Sequence, residues 1–277
     1  MGSEKEEILI MLKYFYRFLI DLTNNLYISS IVRAYTTSKI SKRLIPSFIK
    51  VFKINESEIE KNINDYKSLH DFFIRTLKKD ARQIDEDSTT VISPVDGFVE
   101  DLGTITEEKN ILVKGQLFSI RKMLGNDQAF EKYIDGVFMI IYLSPKDYHR
   151  IHSPVSGQVI SQWDLGGKSY PVNKWGLKYG KSPLSENYRK ISEIECNGVH
   201  VVLAKVGALF INSVTLTHEN EFLEKGEEIG YFSFGSTVIL LFEKDSFKAN
   251  GNIKNKSIKM GQKIGVLVQN LLNNMIE

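Results

Sequence analysis

The stretch YFSFGSTVILLF (231–242) is a strand-forming run interrupted by one glycine, Gly235, directly before Ser236. Aromatic and β-branched residues on both sides favour extended backbone. Glycine weakens a strand interior and marks a bulge, a bend or a close approach of backbone or ligand. Outward from this stretch the same kind of run recurs. GFVEDLG (97–103), GVFMIIYLS (136–144), GQVISQWDL (157–165), GVHVVLAKVGALFINSVTL (198–216) and KIGVLV (263–268) are short apolar segments separated by glycine and polar turns. That spacing predicts a β-rich domain of mainly antiparallel sheets. Residues 164–190, rich in Gly, Lys, Ser and Pro, read as a long surface loop.

The first eighty residues read differently. In MGSEKEEILIMLKYFYRFLI (1–20), Lys13 and Arg17 share one side of a helix, and Ile8, Met11, Phe15, Leu19 and the following Leu22 share the other. Such a helix suits a membrane interface, or packing on the protein's own core. No run reaches the roughly 18 apolar residues of a spanning helix. No small-residue cleavage site follows, so a secretory signal is not expected. TSKISKRLIPSFIKVF (37–52) is a second basic and apolar segment, expected to stop or kink near Pro46. NESEIEKN (55–62) offers Asn55 or Ser57 as a cap, and SLHDFFIRTLKKD (68–80) is a third helix candidate carrying Leu69, Phe72, Phe73 and Leu77. The fold class expected is therefore α+β: a helical region over 1–80 and a β-rich region over 81–277.

Composition narrows function by exclusion. The 277 residues hold 36 basic and 34 acidic side chains, a balance that points away from nucleic acid. The single cysteine, Cys196, excludes an internal disulfide and reads as a small buried residue.

Chemistry-bearing residues cluster at the turns. SPVDGFV (93–99) recurs as SPVSGQV (153–159), which suggests a pseudo-duplicated β unit whose two turns lie near each other; Asp96 in the first copy is Ser156 in the second. His149 and His152 stand together in LSPKDYHRIHSP (143–154), bracketed by prolines. There is no HExxH, CxxC or dense carboxylate cluster, so a metal is not expected. His70, His200 and His218 have no comparable company and read as structural. Asp96, His149 or His152, and Ser236 thus supply an acid, a base and a nucleophile, with no GxSxG elbow to suggest an α/β-hydrolase. Glycine before serine admits a second chemistry. In a distorted peptide the Ser236 hydroxyl can attack the Gly235 carbonyl, and elimination from the resulting ester leaves a pyruvoyl group. The plain alternative is a bulge or bend at Gly235.

SPVDG, YLSPKDYHRIHSP, VGALFINS and FGSTVILLF, in that order, resemble the phosphatidylserine decarboxylase family, as do YKSLHDFFIRTLKKDARQID (66–85) and VKGQLFSIRKMLG (113–125). The resemblance runs from about Tyr66 to Val268. It implies a proenzyme that cuts itself between Gly235 and Ser236 into a β chain (1–235) and an α chain (236–277). The cofactor would be a covalent pyruvoyl group made from Ser236. Asp96, His152 and Ser236 would form the self-processing triad, and His149 would serve the decarboxylation. The implied reaction converts phosphatidylserine to phosphatidylethanolamine through a Schiff base, without a metal. The two chains would stay associated, as a homodimer held peripherally on the cytoplasmic face of the cell membrane. In this light residues 8–50, with the basic SKISKR (38–43), are expected to contact an anionic membrane. Phe234 stands where the family often has leucine. Lys168, Lys174 and Lys178 are candidate phosphate ligands by charge alone, and otherwise solvated loop residues. Two other readings stay open. One is a carrier domain of the phosphotransferase or biotinyl/lipoyl type, with Ile258-Lys259-Met260 as its turn. The other is a pyruvoyl decarboxylase for a soluble amino acid, which would leave the N-terminal helices without a role.

Overall fold

Strands without polar alternation need cover on both faces, and the most apolar runs of this chain occupy the middle of its main sheet. The computed structural model describes residues 26–106, 111–113, 116–167, 170, 183–208, 213–217 and 220–268. Its strands are β1 (Thr90–Ile92), β2 (Gly97–Thr104), β3 (Ile111–Val113), β4 (Gln116–Phe118), β5 (Val137–Leu143), β6 (Arg150–His152), β7 (Gly157–Leu165), β8 (Arg189–Cys196), β9 (Val199–Gly207), β10 (Val214–Leu216), β11 (Phe222–Leu223), β12 (Glu228–Phe232), β13 (Ser236–Phe242), β14 (Phe247–Ala249), β15 (Ser257–Ile258) and β16 (Lys263–Leu267). An eight-stranded sheet runs in the order β11-β7-β8-β9-β13-β5-β2-β15. Two three-stranded sheets, β1-β16-β14 and β10-β12-β6, and the pair β3-β4 complete the set. Every pairing is antiparallel.

The two faces of the large sheet bury different partners. Met139, Ile141, Leu203, Val238 and Leu240 point to one face and pack with Val91, Ile151, Ile229, Phe232 and Ile264 of the small sheets. Ile140, Val202, Ala204, Ile239 and Leu241 point to the other and pack with Met123, Leu124, Phe130 and Tyr133. Those last residues lie on the helices Ile120–Leu124 and Asp127–Tyr133, capped by the Ser119 and Asn126 side chains. Cys196 is buried in the first core.

The sequence echo is a structural repeat. His152 N–H donates to Pro94 O at 2.9 Å and Ile92 N–H to Pro154 O at 3.0 Å, a reciprocal exchange between the two turns. Gly261 N–H donates to Ser93 O and Gly226 N–H to Ser153 O. The Ser93 and Ser153 hydroxyls each donate two residues on, to Val95 O and Val155 O. The strand order is symmetric about the β9-β13 pair, with β8 matching β5, β7 matching β2 and β11 matching β15. A bulge falls at the matching place in each half, Val99/Asp101 and Val159/Ser161.

The helical lead-in breaks where expected and corrects one expectation. A 3-10 helix, Lys39–Leu44, stops just before Pro46, and Pro46 lies in the first turn of a new α-helix, Ile45–Phe52, where a missing N–H costs nothing. The third candidate is helical only over Leu69–Phe73, capped by Ser68; Leu77 instead bridges to Ile59 as extended backbone. Asn55 does cap a short 3-10 turn. Ile45, Phe48, Tyr66, Phe72 and Phe73 form a third core, against which Phe234 packs. The expected loop over 164–190 is narrower than its composition suggested. β7 continues to Leu165 and pairs it with Arg189, and Pro183–Glu186 forms a helical turn. The helix expected over 1–20, His218, and Lys168, Lys174 and Lys178 lie outside the described residues.

Candidate active site

The glycine in the opening stretch is used for its conformation. Gly235 has φ of 47°, in the left-handed region that residues with a Cβ resist. This bend separates β12 from β13, so Ser233 and Phe234 leave one sheet and Ser236 enters another. The segment after β9 clasps it. Ala208 N–H donates to Gly235 O at 3.0 Å, and Ser233 N–H donates to Ser213 O at 2.8 Å. Ser236 pairs with Gly207, and a Cβ on Gly207 would lie 1.9 Å from the Ser213 hydroxyl oxygen. The Ser213 hydroxyl therefore fills the space beside Ser236. Both hydroxyls are buried, and neither has a hydrogen-bond partner among the described residues.

The histidine turn follows directly from β5, whose Leu143 pairs with Ser236. Asp147 caps the turn by accepting from Ser144 N–H and Oγ–H at 2.7 and 2.6 Å. His149 is fully buried, with its ring 4.0 Å from Phe73, which stacks in turn on Phe234 at 4.7 Å. Phe232 N–H donates to His149 O, tying this turn to the strand before the bend. His149 Nδ1 meets Asp147 O at 2.9 Å. A carbonyl only accepts, so Nδ1 carries the proton and Nε2 presents a lone pair. That Nε2 has no partner among the described residues. Burial, with the nearby Arg75 charge, pushes the His149 pKa down to about 3, so the ring is neutral at pH 7.

His152 is held differently. Its Nδ1 donates to Gly226 O at 2.8 Å, and its Nε2 accepts from the Tyr148 hydroxyl at 3.2 Å. Burial lowers its pKa as well. Asp96 is buried one turn away and hydrogen-bonds to neither ring. It accepts from Arg82 Nε at 2.8 Å and from Arg82 Nη2, from Met260 N–H at 2.9 Å and from Lys259 Nζ at 3.2 Å. Burial alone would raise its pKa, but Arg82 and Lys259 outweigh burial and hold it below the usual carboxylate range. Its negative charge acts on both histidines. The structure thus gathers the backbones of all four sequence-derived residues around the bend and the two reciprocal turns, without linking their side chains in one hydrogen-bonded chain.

Comparison with known proteins bears directly on this arrangement. Residues 69–266 match the family model described as phosphatidylserine decarboxylase. A phosphatidylserine decarboxylase proenzyme of Anoxybacillus flavithermus is 55% identical over 260 residues, 94% of this chain and 98% of that protein. A protein of the same name from a Geobacillus strain is 54% identical over 258 residues, 93% of this chain and 100% of its own. One from Bacillus mycoides is 49% identical over 259 residues. This chain belongs to the phosphatidylserine decarboxylase family.

Nothing in the match favours the carrier-domain alternative. Lys259, the residue that reading needs at a free turn, is paired with Asp96. Reading the sequence alone missed Ala208, Ser213 and Arg75. Ala208 and Ser213 lie in the VGALFINS motif; alanine has no reactive side chain and acts here through its N–H, and strand pairing is what brings the Ser213 hydroxyl beside Ser236. His70, read as structural, packs its ring against Phe234 at 5.8 Å, and His200 pairs with Glu243 at 2.8 Å. Among the described residues no helix is long and apolar enough to cross a membrane.

Proposed function

We propose that this chain is a self-processing decarboxylase of phosphatidylserine, made as a proenzyme and cut between Gly235 and Ser236. Supporting it most directly is the bend itself: a left-handed glycine, a buried serine hydroxyl without a partner among the described residues, and an N–H already on the Gly235 carbonyl oxygen. Ser236 Oγ attacks the Gly235 carbonyl carbon and gives its proton to a histidine nitrogen. The Ala208 N–H receives the developing oxyanion. The C–N bond breaks as the nitrogen is protonated, and the peptide becomes an ester. Loss of the α-proton and cleavage of the Oγ–Cβ bond free Gly235 as a carboxylate. Water replaces ammonia at the new end, leaving a pyruvoyl group on the 236–277 chain, with 1–235 still packed around it. The orphaned Ser236 position fits that group. The pyruvoyl group supplies the electron sink for loss of carbon dioxide.

The family resemblance assigns self-processing to Asp96, His152 and Ser236, and decarboxylation to His149. His152 acts as base once its Nε2 exchanges the Tyr148 hydroxyl for the Ser236 proton. His149 Nε2, without a partner among the described residues, moves a proton in the decarboxylation. Asp96 stays ionised and favours the protonated form of either ring.

In this reading residues 1–80, described from 26, are the membrane-associating helical region, and 81–277, described to 268, the catalytic β-rich domain. Ile31 and Ile40 are 68% and 65% exposed, amid Arg33, Lys39, Lys42 and Arg43. Exposed apolar side chains among cations suit a peripheral contact with an anionic lipid surface, as expected on the cytoplasmic leaflet, and a homodimer is the assembly expected there.

On a denaturing gel with intact mass, the wild type should give two fragments, the smaller blocked by pyruvoyl. Ser236→Ala should stay whole and inactive. A single band from active wild-type protein would end the proposal.

A further inference from the structure

Two buried arginines behave in opposite ways. Arg189 spends all its nitrogens on carbonyls: Nε on Met123 O, Nη1 on Asn187 O and Nη2 on Lys122 O, at 2.7, 2.9 and 2.9 Å. It is a structural strap. Arg75 is 4% exposed, yet only its Nη2 is used, donating to Lys146 O at 2.8 Å and Asp147 O at 3.0 Å. Among the described residues its Nε–H and its Nη1 amine have no hydrogen-bond partner, and no carboxylate lies within ion-pair distance. The guanidinium lies over the Phe72 ring, with Cζ 5.3 Å from its centroid, but the ring offers nothing to the empty N–H donors, and leaving buried donors empty is costly.

The place of this cation is specific. Asp147 O accepts from both Arg75 Nη2 and His149 Nδ1, so one carbonyl fixes the guanidinium beside the histidine. The Asp147 carboxylate that could neutralise it is turned back onto Ser144. Arg75 is closed to solvent, as Ser236 and His149 are. The nearby His149 is neutral, and the Arg75 charge acts on it, so Arg75 brings positive charge to this side of the site.

We infer that Arg75 is the anion anchor of the active site and takes the phosphodiester of the substrate headgroup on its free Nε–H and Nη1–H donors. This rests on placing Ser236 and His149 at the catalytic centre, as proposed above. The substrate carries two anions, and decarboxylation itself selects between them. Negative charge leaves the carboxylate as the C–C bond breaks, so a buried cation on that group would hold the ground state more tightly than the transition state. The phosphodiester keeps its charge throughout, and a cation there binds without opposing the reaction. Arginine suits a desolvated phosphate better than lysine because its donors are fixed in a plane.

The test uses processed protein: wild type, Arg75→Met and Arg75→Lys. Self-cleavage on a gel and thermal melting report folding. Calorimetric titration with short-chain phosphatidylglycerol probes the phosphodiester without a carboxylate. Titration with O-methylserine probes the carboxylate without a phosphate. Neither readout needs turnover. Arg75→Met should weaken phosphatidylglycerol about ten- to hundredfold, the scale of charged hydrogen bonds. It should leave O-methylserine unchanged, and Arg75→Lys should recover part of the loss. In turnover, KM for short-chain phosphatidylserine should rise while kcat holds. Unchanged phosphatidylglycerol affinity in Arg75→Met, a loss confined to O-methylserine, or failure of both variants to self-cleave would each overturn the assignment. Wild type that binds phosphatidylglycerol but turns over no phosphatidylserine would sink the decarboxylase reading and leave the anchor standing.

Discussion

Gly235 carries the conformation on which self-processing depends. With φ at 47°, a Cβ at this position sits in the left-handed region at a cost of about 1–2 kcal/mol. Gly235→Ala should therefore cleave more slowly than wild type, followed as the fraction of two-band protein over time; equal rates would show the bend is not needed. The two histidines separate by what holds them. His152→Ala should stay uncut, whereas His149→Ala should cut yet fail to turn over. The opposite pattern would exchange their roles. Both rings are also buried neutral, with pKa values below 6.5 and that of His149 near 3. As pH falls below 6.5 the unfolded chain binds protons that the folded chain refuses. The contribution to stability is fully present above 6.5 and is lost as pH drops from there, for His149 down toward 3 at about 1.4 kcal/mol per pH unit, with His152 acting in the same direction. Urea denaturation at pH 7.5, 6 and 5 should show this slope, and His149→Phe should flatten it.

At the scale of one strand, β9 contains a lysine where its neighbours are apolar. Lys205 is fully buried between Ala204 and Val206, and its ammonium donates to Ser192 Oγ at 2.6 Å. Burial pushes its pKa down to about 7. Between pH 7 and 10.5 the unfolded chain holds a proton that the folded chain releases, so folding is disfavoured at the lower end of that window. Lys205→Met should raise the melting temperature at pH 7, the direction seen when buried charges are replaced by apolar groups of similar size. A lowered melting temperature would mean the amine makes a contact that outweighs its desolvation.

Across the whole molecule, the chemistry lies where the internal symmetry fails. Asp96 matches Ser156 and His152 matches Ile92 in the reciprocal turns. In the large sheet, Thr237, paired through Tyr142 with Phe98, matches His200, paired through Glu195 with Gln158, so Ser236 corresponds to Val199. The Met260 N–H that caps Asp96 has its counterpart in the Lys225 N–H that caps Ser156. Asp96→Ser should thus keep the turn but leave the buried Arg82 with Glu58, 2.9 Å from its Nη1, as its remaining carboxylate, destabilising by about 1–3 kcal/mol and blocking self-cleavage. Thermal melting and the gel measure the two effects. At the surface, Ile31→Ser with Ile40→Ser should weaken binding to anionic vesicles about tenfold per residue, from the apolar area lost to water. Flotation with unchanged recovery would remove these residues from the membrane contact.

Several features follow from local chemistry and were legible in the chain itself. Apolar runs broken by glycine predict strands, and the repeated Ser-Pro-Val turn predicts the duplication. Gly235-Ser236 with the two histidines and Asp96 marks the family. These are properties of residue type and spacing, and they survive whatever the chain later packs against. The pairing of His149 with a free Nε2, the Ala208 N–H on the Gly235 carbonyl, the Ser213 hydroxyl above Gly207 and the half-used guanidinium of Arg75 were not legible. Each depends on which backbone groups are left without partners once distant strands have paired. Only the tertiary structure decides that, because hydrogen-bond satisfaction is settled across the whole fold and not along the chain.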